Sequence, residues 1–269
     1  MTDVASLELE HLDLQIRDDG VAVLTLDLPD RRNMMSAPMT ASWTRAVAAL
    51  HGDPGVRAVV VTGSGSAFCS GGDTAWIGAG VEDGVEAVRT RMHAFYTDWL
   101  TIRTLDVPTV AAVNGAAIGA GLALALACDL RVVASTARLG VPFTALGMHA
   151  GMATTWSLPE VAGLQVARDL LLTGRLVDGD EGVRLGLALR AVPAERVLAE
   201  ALEIASTIAS RAPVATRLTT MALRGGGHAD HGAALRWEAL AQAVTLVTDD
   251  LQEGLAAARD RRTPRFTGH

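Results

Sequence analysis

The stretch that most constrains this chain is Val107–Asp129, VPTVAAVNGAAIGAGLALALACD. A short apolar run over Thr109–Val113 breaks at Asn114-Gly115 and passes through Gly119-Ala120-Gly121. It then continues as an almost purely aliphatic run over Leu122–Ala127. That order predicts a strand, a tight turn and a helix whose first turn carries almost no side chains. The first N–H groups of a helix lack internal partners and lie at the positive end of its dipole, so they suit a negatively charged oxygen. Small residues let a ligand approach the backbone closely. The turn therefore reads as half of an oxyanion hole. The run from Val110 to Ala127 nears the length of a membrane span, but Asn114 and the glycines interrupt it. A sharp turn there would leave backbone groups unsatisfied in lipid, so a buried core segment is expected and no membrane span.

The 269 residues, 49% apolar and 20% charged, suffice for one substantial core, alone or with a small appendage. A net charge of −7 argues against a nucleic-acid partner, because phosphate neutralisation needs a basic face. A small anionic ligand held by a local cluster is still allowed, since exposed charges are screened beyond about 10 Å. Cys69 and Cys128 lie among apolar or small residues and read as buried packing groups in a reducing compartment. The opening MTDVASLELEH has no basic-then-apolar leader pattern, so a cytoplasmic location is expected.

Leu9–Arg17 and Val21–Leu28 flank Asp18-Asp19-Gly20 and predict a β-hairpin. Pro29–Ser36 is a polar connection with two adjacent arginines, and Ser36 caps a helix expected to run to about Leu50. Val56–Thr62 reads as a buried strand. The glycine-rich segment Gly63–Asp73 is a loop, and without a Lys-Ser/Thr ending it is no P-loop. One long helix is expected over Glu82–Leu105, and strands over Leu130–Ala134 and Arg138–Pro142. Helices are expected over Ala153–Val161, Leu164–Leu172, Asp178–Leu185 and Ala194–Ser210, with a strand at Leu189–Val192. From Pro213 to Arg262 the chain reads as helical apart from a break at Gly225-Gly226-Gly227. This is an α/β core with a helical C-terminal region.

Four stretches together resemble the crotonase, or enoyl-CoA hydratase/isomerase, superfamily. They are Arg31-Arg32-Asn33, Ala67-Phe68-Cys69-Ser70-Gly71-Gly72-Asp73, Val113–Gly121 and Leu171-Leu172-Thr173-Gly174. Asp249–Gly254 and Arg262–Phe266 match as well, and the likeness runs in order from about Leu14 to Gly268. The ordered set, rather than any one glycine motif, carries it. The resemblance implies a crotonase-like spiral of repeated β-β-α units over residues 1–195, followed by a helical trimerisation region over 196–269. It implies a homotrimer or homohexamer, with acyl-CoA as the partner. Coenzyme A would enter as the substrate thioester, with no separate cofactor and no metal.

By position, the resemblance places the two carbonyl-polarising N–H groups at Gly72 and Ala120. Losing one such donor costs a factor of about 10² to 10³ in rate. Coenzyme A contacts carried over are Arg31 or Arg32 for the phosphates, and the Met34–Met35 backbone with Ala67 and Phe68 for pantetheine and adenine. Gly71 and Asp73 belong to the first oxyanion loop, with Asp73 holding it. Arg262 and Phe266 would meet the nucleotide, of this or a neighbouring subunit. Without the resemblance, Arg31 and Arg32 are a solvated turn and Phe266 a hydrophobic anchor.

The chain departs from the family at the acids. Hydratases place one glutamate in the helix after the oxyanion turn and another after the next strands; here those positions hold Ala123 and Phe143. Neither moves a proton, and each general acid–base group contributes roughly 10² to 10⁴. Gly151 stands where dehalogenase-like and dienoyl-isomerase-like members carry an aspartate. His149, on the same loop, is the remaining candidate acid or base, with a structural loop histidine as the alternative. His93 and Tyr96 read as helix surface or core, with an acyl-pocket position, as in some relatives, the alternative; Met152 and Trp156 read as acyl-tunnel lining or core. The expected function is enoyl-CoA hydratase/isomerase-family action on an acyl-CoA thioester, with ordinary hydratase activity impaired. The alternatives are a non-catalytic acyl-CoA-binding protein or a crotonase-fold acyl-CoA decarboxylase or thioesterase.

Overall fold

The computed structural model describes residues 7–79, 81–226 and 230–269. The first six residues, which bear on the expected absence of a leader, and Gly227 of the expected glycine break lie outside them. The chain opens with the expected hairpin, β1 (Leu12–Ile16) against β2 (Val21–Leu26). Helix α1 (Ala37–Leu50) follows, with Ser36 Oγ accepting the Met39 N–H at its start and Pro38 in its first turn.

Three β-β-α repeats then build the core. The first is β3 (Ala58–Gly63), β4 (Ala67–Cys69) and the helices α2 (Thr74–Gly78) and α3 (Val85–Leu100). The second is β5 (Thr109–Val113), β6 (Ala116–Ile118) and α4 (Ala120–Ala127). The third is β7 (Leu130–Ala134), β8 (Leu139–Gly140) and α5 (Thr154–Thr173). First strands of the repeats join a six-stranded sheet in the order β1-β2-β3-β5-β7-β9, where β9 is Arg190–Val192 after the short helix α6 (Gly179–Arg184). Second strands form a small parallel sheet, β4-β6-β8. Residues of β3 and β5 are buried along their whole length, as strands covered on both faces require.

Helix α7 (Val197–Ala209) lies on the large sheet through Val197, Ala201, Ala205 and Ala209, an i, i+4 stripe of small residues that allows close approach. It is followed by α8 (Pro213–Met221), a π-helical turn over Ala222–Gly226, α9 (His231–Leu246) and α10 (Asp249–Asp260). One ionic cluster fastens this region to the core. Asp129 accepts the Thr109 N–H at 2.7 Å and the Thr109 hydroxyl at 2.8 Å, and Arg224 Nε donates to the same carboxylate at 2.7 Å. The tail is pinned separately, by buried Asp250 accepting from the N–H groups of Thr267 and Gly268.

One expectation needs correction. The segment 82–105 is not one helix: a 3-10 turn over Val81–Asp83 precedes Gly84, whose φ of 84° ends the turn, and another 3-10 turn over Thr101–Thr104 follows α3. The β-β-α units implied by the resemblance require the second strands β4 and β6, but their residues alone do not show them, because three residues are too few to show alternation. Among the described residues, no helix is long and apolar enough to cross a membrane.

Candidate active site

The site is built where the second strands of the first two repeats end. Buried Asn33 stitches its outer wall. Its side-chain oxygen accepts the Leu28 N–H at 2.8 Å, and its amide nitrogen donates to the carbonyls of Ser64 and Ala67, each at 2.8 Å. The two residues beside each other, Arg32 (φ 50°) and Asn33 (φ 53°), both adopt left-handed backbone. The chain after Asn33 runs along the 69–72 segment, with the Ser70 N–H donating to Arg32 and the Met35 N–H to Gly71. Arg31 and Arg32 thereby stand exposed on the rim.

The two oxyanion candidates are brought together by backbone contact. A Cβ on Gly121 would lie 2.1 Å from the Cys69 carbonyl oxygen, and one on Gly71 only 3.5 Å from the Ala120 nitrogen. Gly71 also has a φ of 97°, which a side chain would strain. In α4 the first internal bond is Ala123 N–H to Gly119 at 3.0 Å, so the N–H of Ala120 has no partner within the helix. Gly72 bridges Met35 in parallel fashion, and the bond there is donated by the Met35 N–H to the Gly71 carbonyl, not by Gly72. Among the described residues, no turn or loop bond uses the N–H of Gly72 or Ala120. Asp73 caps α2 by accepting the Ala75 N–H at 2.9 Å, so it fixes the loop on its far side.

Apolar groups surround these donors. Ala123 is buried in α4, and the Phe143 ring would lie 3.8 Å from a Cβ on Gly119, against the oxyanion turn. Cys69 is buried, and loss of solvent pushes its thiol up to about 12, so it serves as packing and not as a nucleophile. Tyr96, expected as helix surface or core with an acyl-pocket position as the alternative, lies against Gly151. A Cβ on Gly151 would lie 2.5 Å from its hydroxyl oxygen, so the phenol fills the space that a side chain at 151 would take. Partial burial raises the Tyr96 pKa above its usual range, which keeps the O–H protonated. The sequence clue was the glycine at 151, whose missing side chain leaves room for a group from elsewhere. His149 lies on the same loop but is exposed, with Nδ1 donating to the Ala150 carbonyl at 2.7 Å, which leaves Nε2 as its basic nitrogen.

The other candidates separate. Ala67 and Phe68 are buried, and the Phe68 ring belongs to the core, which leaves backbone as what they can offer a ligand. Met35 is also buried. Arg262 is engaged by Glu253 through two bonds of 2.6 and 2.8 Å, which hold the Glu253 carboxyl down at about 2. Phe266 packs beside Gly254, and its carbonyl accepts from Arg57. Within this chain both take part in anchoring the tail. Met152 is in the core, whereas Trp156 is half exposed beneath the Arg103 guanidinium.

Comparisons with known proteins agree with this architecture. The family model described as enoyl-CoA hydratase/isomerase matches residues 17–269. A Thermus thermophilus protein provisionally named an enoyl-CoA hydratase is 41% identical over 256 residues, covering 94% of this chain and 100% of its own. The crotonyl-CoA hydratase of Syntrophomonas wolfei is 32% identical over 253 residues, covering 93% of this chain and 95% of its own. The crystal structure of the enoyl-CoA hydratase from Bacillus anthracis superposes with a TM-score of 0.91 at 31% identity, covering 97% of this chain and 100% of that one. The expected crotonase-like α/β fold is thus the observed one.

The backbone contact at Gly121 makes a sharp prediction. Gly121→Ala drives a methyl into the Cys69 carbonyl, a clash no rotamer relieves, and is expected to destabilise the protein by about 1–3 kcal/mol or more. Thermal denaturation should show the lower midpoint, and titration calorimetry should show acyl-CoA binding lost at temperatures where the variant is still folded.

Proposed function

The chain belongs to the enoyl-CoA hydratase/isomerase family, and on that premise we propose that it acts on an acyl-CoA thioester whose carbonyl oxygen is held by the N–H groups of Gly72 and Ala120. The observation that carries this reading is that two backbone donors without acceptors among the turn and loop bonds, Gly72 and Ala120, lie on segments in direct backbone contact. An enolate oxygen gathers charge in the transition state, and preorganised donors in a water-poor site stabilise it strongly. Arg31 and Arg32, exposed on the rim, would meet the phosphates of coenzyme A. The Met34–Met35 backbone and the 67–73 segment would meet the pantetheine.

Ordinary hydration is expected to be slow. Addition of water needs a base for the water and an acid for the α-carbon, and Ala123 and Phe143 supply neither. Of the titratable groups near Gly151, Tyr96 is better placed than His149 to give a proton to the enolate carbon, because its hydroxyl abuts Gly151 whereas the imidazole is exposed. The lack of carboxylates favours one second reading, enolate chemistry that needs few acids, such as loss of carbon dioxide from a malonyl-type thioester. Self-association as a trimer or hexamer is supported by exposed Leu223, Leu240, Val244, Val247 and Leu255 in the C-terminal helical layer. Two free, buried cysteines support a reducing, cytoplasmic setting.

The test is a panel of saturated, enoyl, hydroxyacyl and malonyl-type CoA esters, read by calorimetry and by turnover. Binding of acyl-CoA is expected, with crotonyl-CoA hydration slower by at least about 10²-fold, and up to the product of two such losses, than in a relative carrying both glutamates. Absence of binding by every ester would overturn the proposal. Binding with no turnover of any ester would mean a non-catalytic acyl-CoA-binding protein.

On whichever ester turns over, Tyr96→Phe is expected to lower kcat on the order of 10² to 10⁴-fold with little change in binding. Because the O–H form is the donor and its pKa is raised, the wild-type rate should hold through neutral pH and fall only in the alkaline range. His149→Ala should keep most of the activity. The reverse pattern, a silent Tyr96→Phe and a dead His149→Ala, would move the proton transfer to the histidine.

A further inference from the structure

A cavity of about 320 Å³ lies between α1 and α3, one residue layer from the oxyanion glycine. Met35, Thr40, Trp76, Arg91, Phe95 and Asp98 are among its walls. Two of these touch the Gly72 backbone region: Met35 forms the bridge with Gly72, and the Phe95 ring would lie 3.9 Å from a Cβ on that glycine. Trp76 packs on Phe95 with ring centres 5.0 Å apart, and the Arg91 guanidinium stands 5.0 Å from the Trp76 ring centre. A row of aromatic surface thus leads from the oxyanion site to a permanent positive charge.

That charge is incompletely matched. Arg91 Nε and Nη2 are buried atoms, and neither has a hydrogen-bond partner among the described residues. A guanidinium cannot shed its charge by losing a proton, and a buried charged donor without an acceptor is costly. The Trp76 face offsets part of that cost but accepts no N–H in the plane of the fork. Nε and Nη2 form one edge of the guanidinium, whose two parallel N–H groups match the two oxygens of a carboxylate. Asp98, the other charged wall residue named, leaves both nitrogens unpaired.

We propose that this cavity receives the far end of the acyl group and that Arg91 binds a carboxylate there. The favoured ligand is then an acyl-CoA whose acyl chain ends in a second carboxylate. This rests on the acyl-CoA reading of the Gly72 and Ala120 site. A single cation with apolar and aromatic walls suits a monoanion on an apolar stem, and the neighbouring aspartate repels a dianion more strongly than a monoanion. They do not suit a phosphate, which carries more charge and needs more donors. Arg91 acts in this scheme on specificity and does not touch the reacting atoms.

Calorimetry with glutaryl-CoA against valeryl-CoA, and adipyl-CoA against hexanoyl-CoA, tests the proposal, since each pair differs by a carboxylate in place of a terminal methyl. The wild-type protein is expected to bind the carboxylated member of at least one pair tighter by on the order of tenfold. Arg91→Gln should abolish that preference, and Arg91→Lys should keep only part of it, because an ammonium lacks the two-pronged edge. A thermal midpoint for Arg91→Gln no lower than wild type would show that the variant is folded. If the neutral esters bind and no preference exists, the carboxylate proposal falls while the oxyanion reading stands. If Arg91→Gln weakens free coenzyme A and neutral esters equally, the guanidinium serves a coenzyme A phosphate and the proposal also falls. If no ester binds, the acyl-CoA reading itself fails, and this proposal with it.

Discussion

The site depends on how closely two pieces of backbone can approach. The Cys69 carbonyl rests where a side chain at Gly121 would have to be, and Gly71 stands against the start of α4. Only with both glycines in place do Gly72 and Ala120 stand at the ends of adjoining segments with their N–H groups unspent. The rest of the fold serves that contact. Parallel strands β3 and β5 set the distance between the first two repeats, β4 and β6 bring their loops edge to edge, and Asn33 braces the outer loop. Trp43 and Trp99, stacked at 5.0 Å, lock α1 onto α3 and so keep the aromatic wall beside Gly72 in position.

Chemically, on the proposed reading, a strong oxyanion site is coupled to weak acid–base equipment. Apolar groups stand where the family's carboxylates would be: Phe143 lies against the oxyanion turn, and Ala123 is sealed in α4. Such surroundings strengthen the backbone donors, because hydrogen bonds to a developing charge gain from exclusion of water. They also leave proton transfer to whatever neutral group can reach the site. A phenol kept protonated by partial burial suits single proton donation better than the paired proton transfers of hydration. The unmatched guanidinium of Arg91 points to selection by the distal end of the acyl group.

Much of the fold was legible in the sequence, and for physical reasons. The buried strands showed as β-branched runs, α1 was marked by Ser36 and Pro38, and the oxyanion turn stood out because Gly119-Ala120-Gly121 has no side chains to hide its backbone. What stayed hidden was short or three-dimensional. The strands β4 and β6 have three residues each, too few for a period. Gly84 gave little warning that it would split the segment before α3. Tyr96 looked like a helix residue with a core or surface role, because its meeting with Gly151 joins positions more than fifty residues apart in sequence. Arg91 carried no motif at all; only its unpartnered burial sets it apart. The family likeness pointed to Ala123 and Phe143 as the positions of expected acids, but it pointed to no group in their place.

Polarisation of the thioester carbonyl is the role proposed for Gly72 and Ala120. Isotope-edited infrared spectroscopy of an acyl-CoA labelled with carbon-13 at the thioester carbon measures that directly. The labelled C=O stretch is predicted to move to lower frequency when the ester binds the wild-type protein, because two N–H donors draw charge onto the oxygen. A bound ester whose carbonyl stretch stays at its free-solution position would contradict the oxyanion hole.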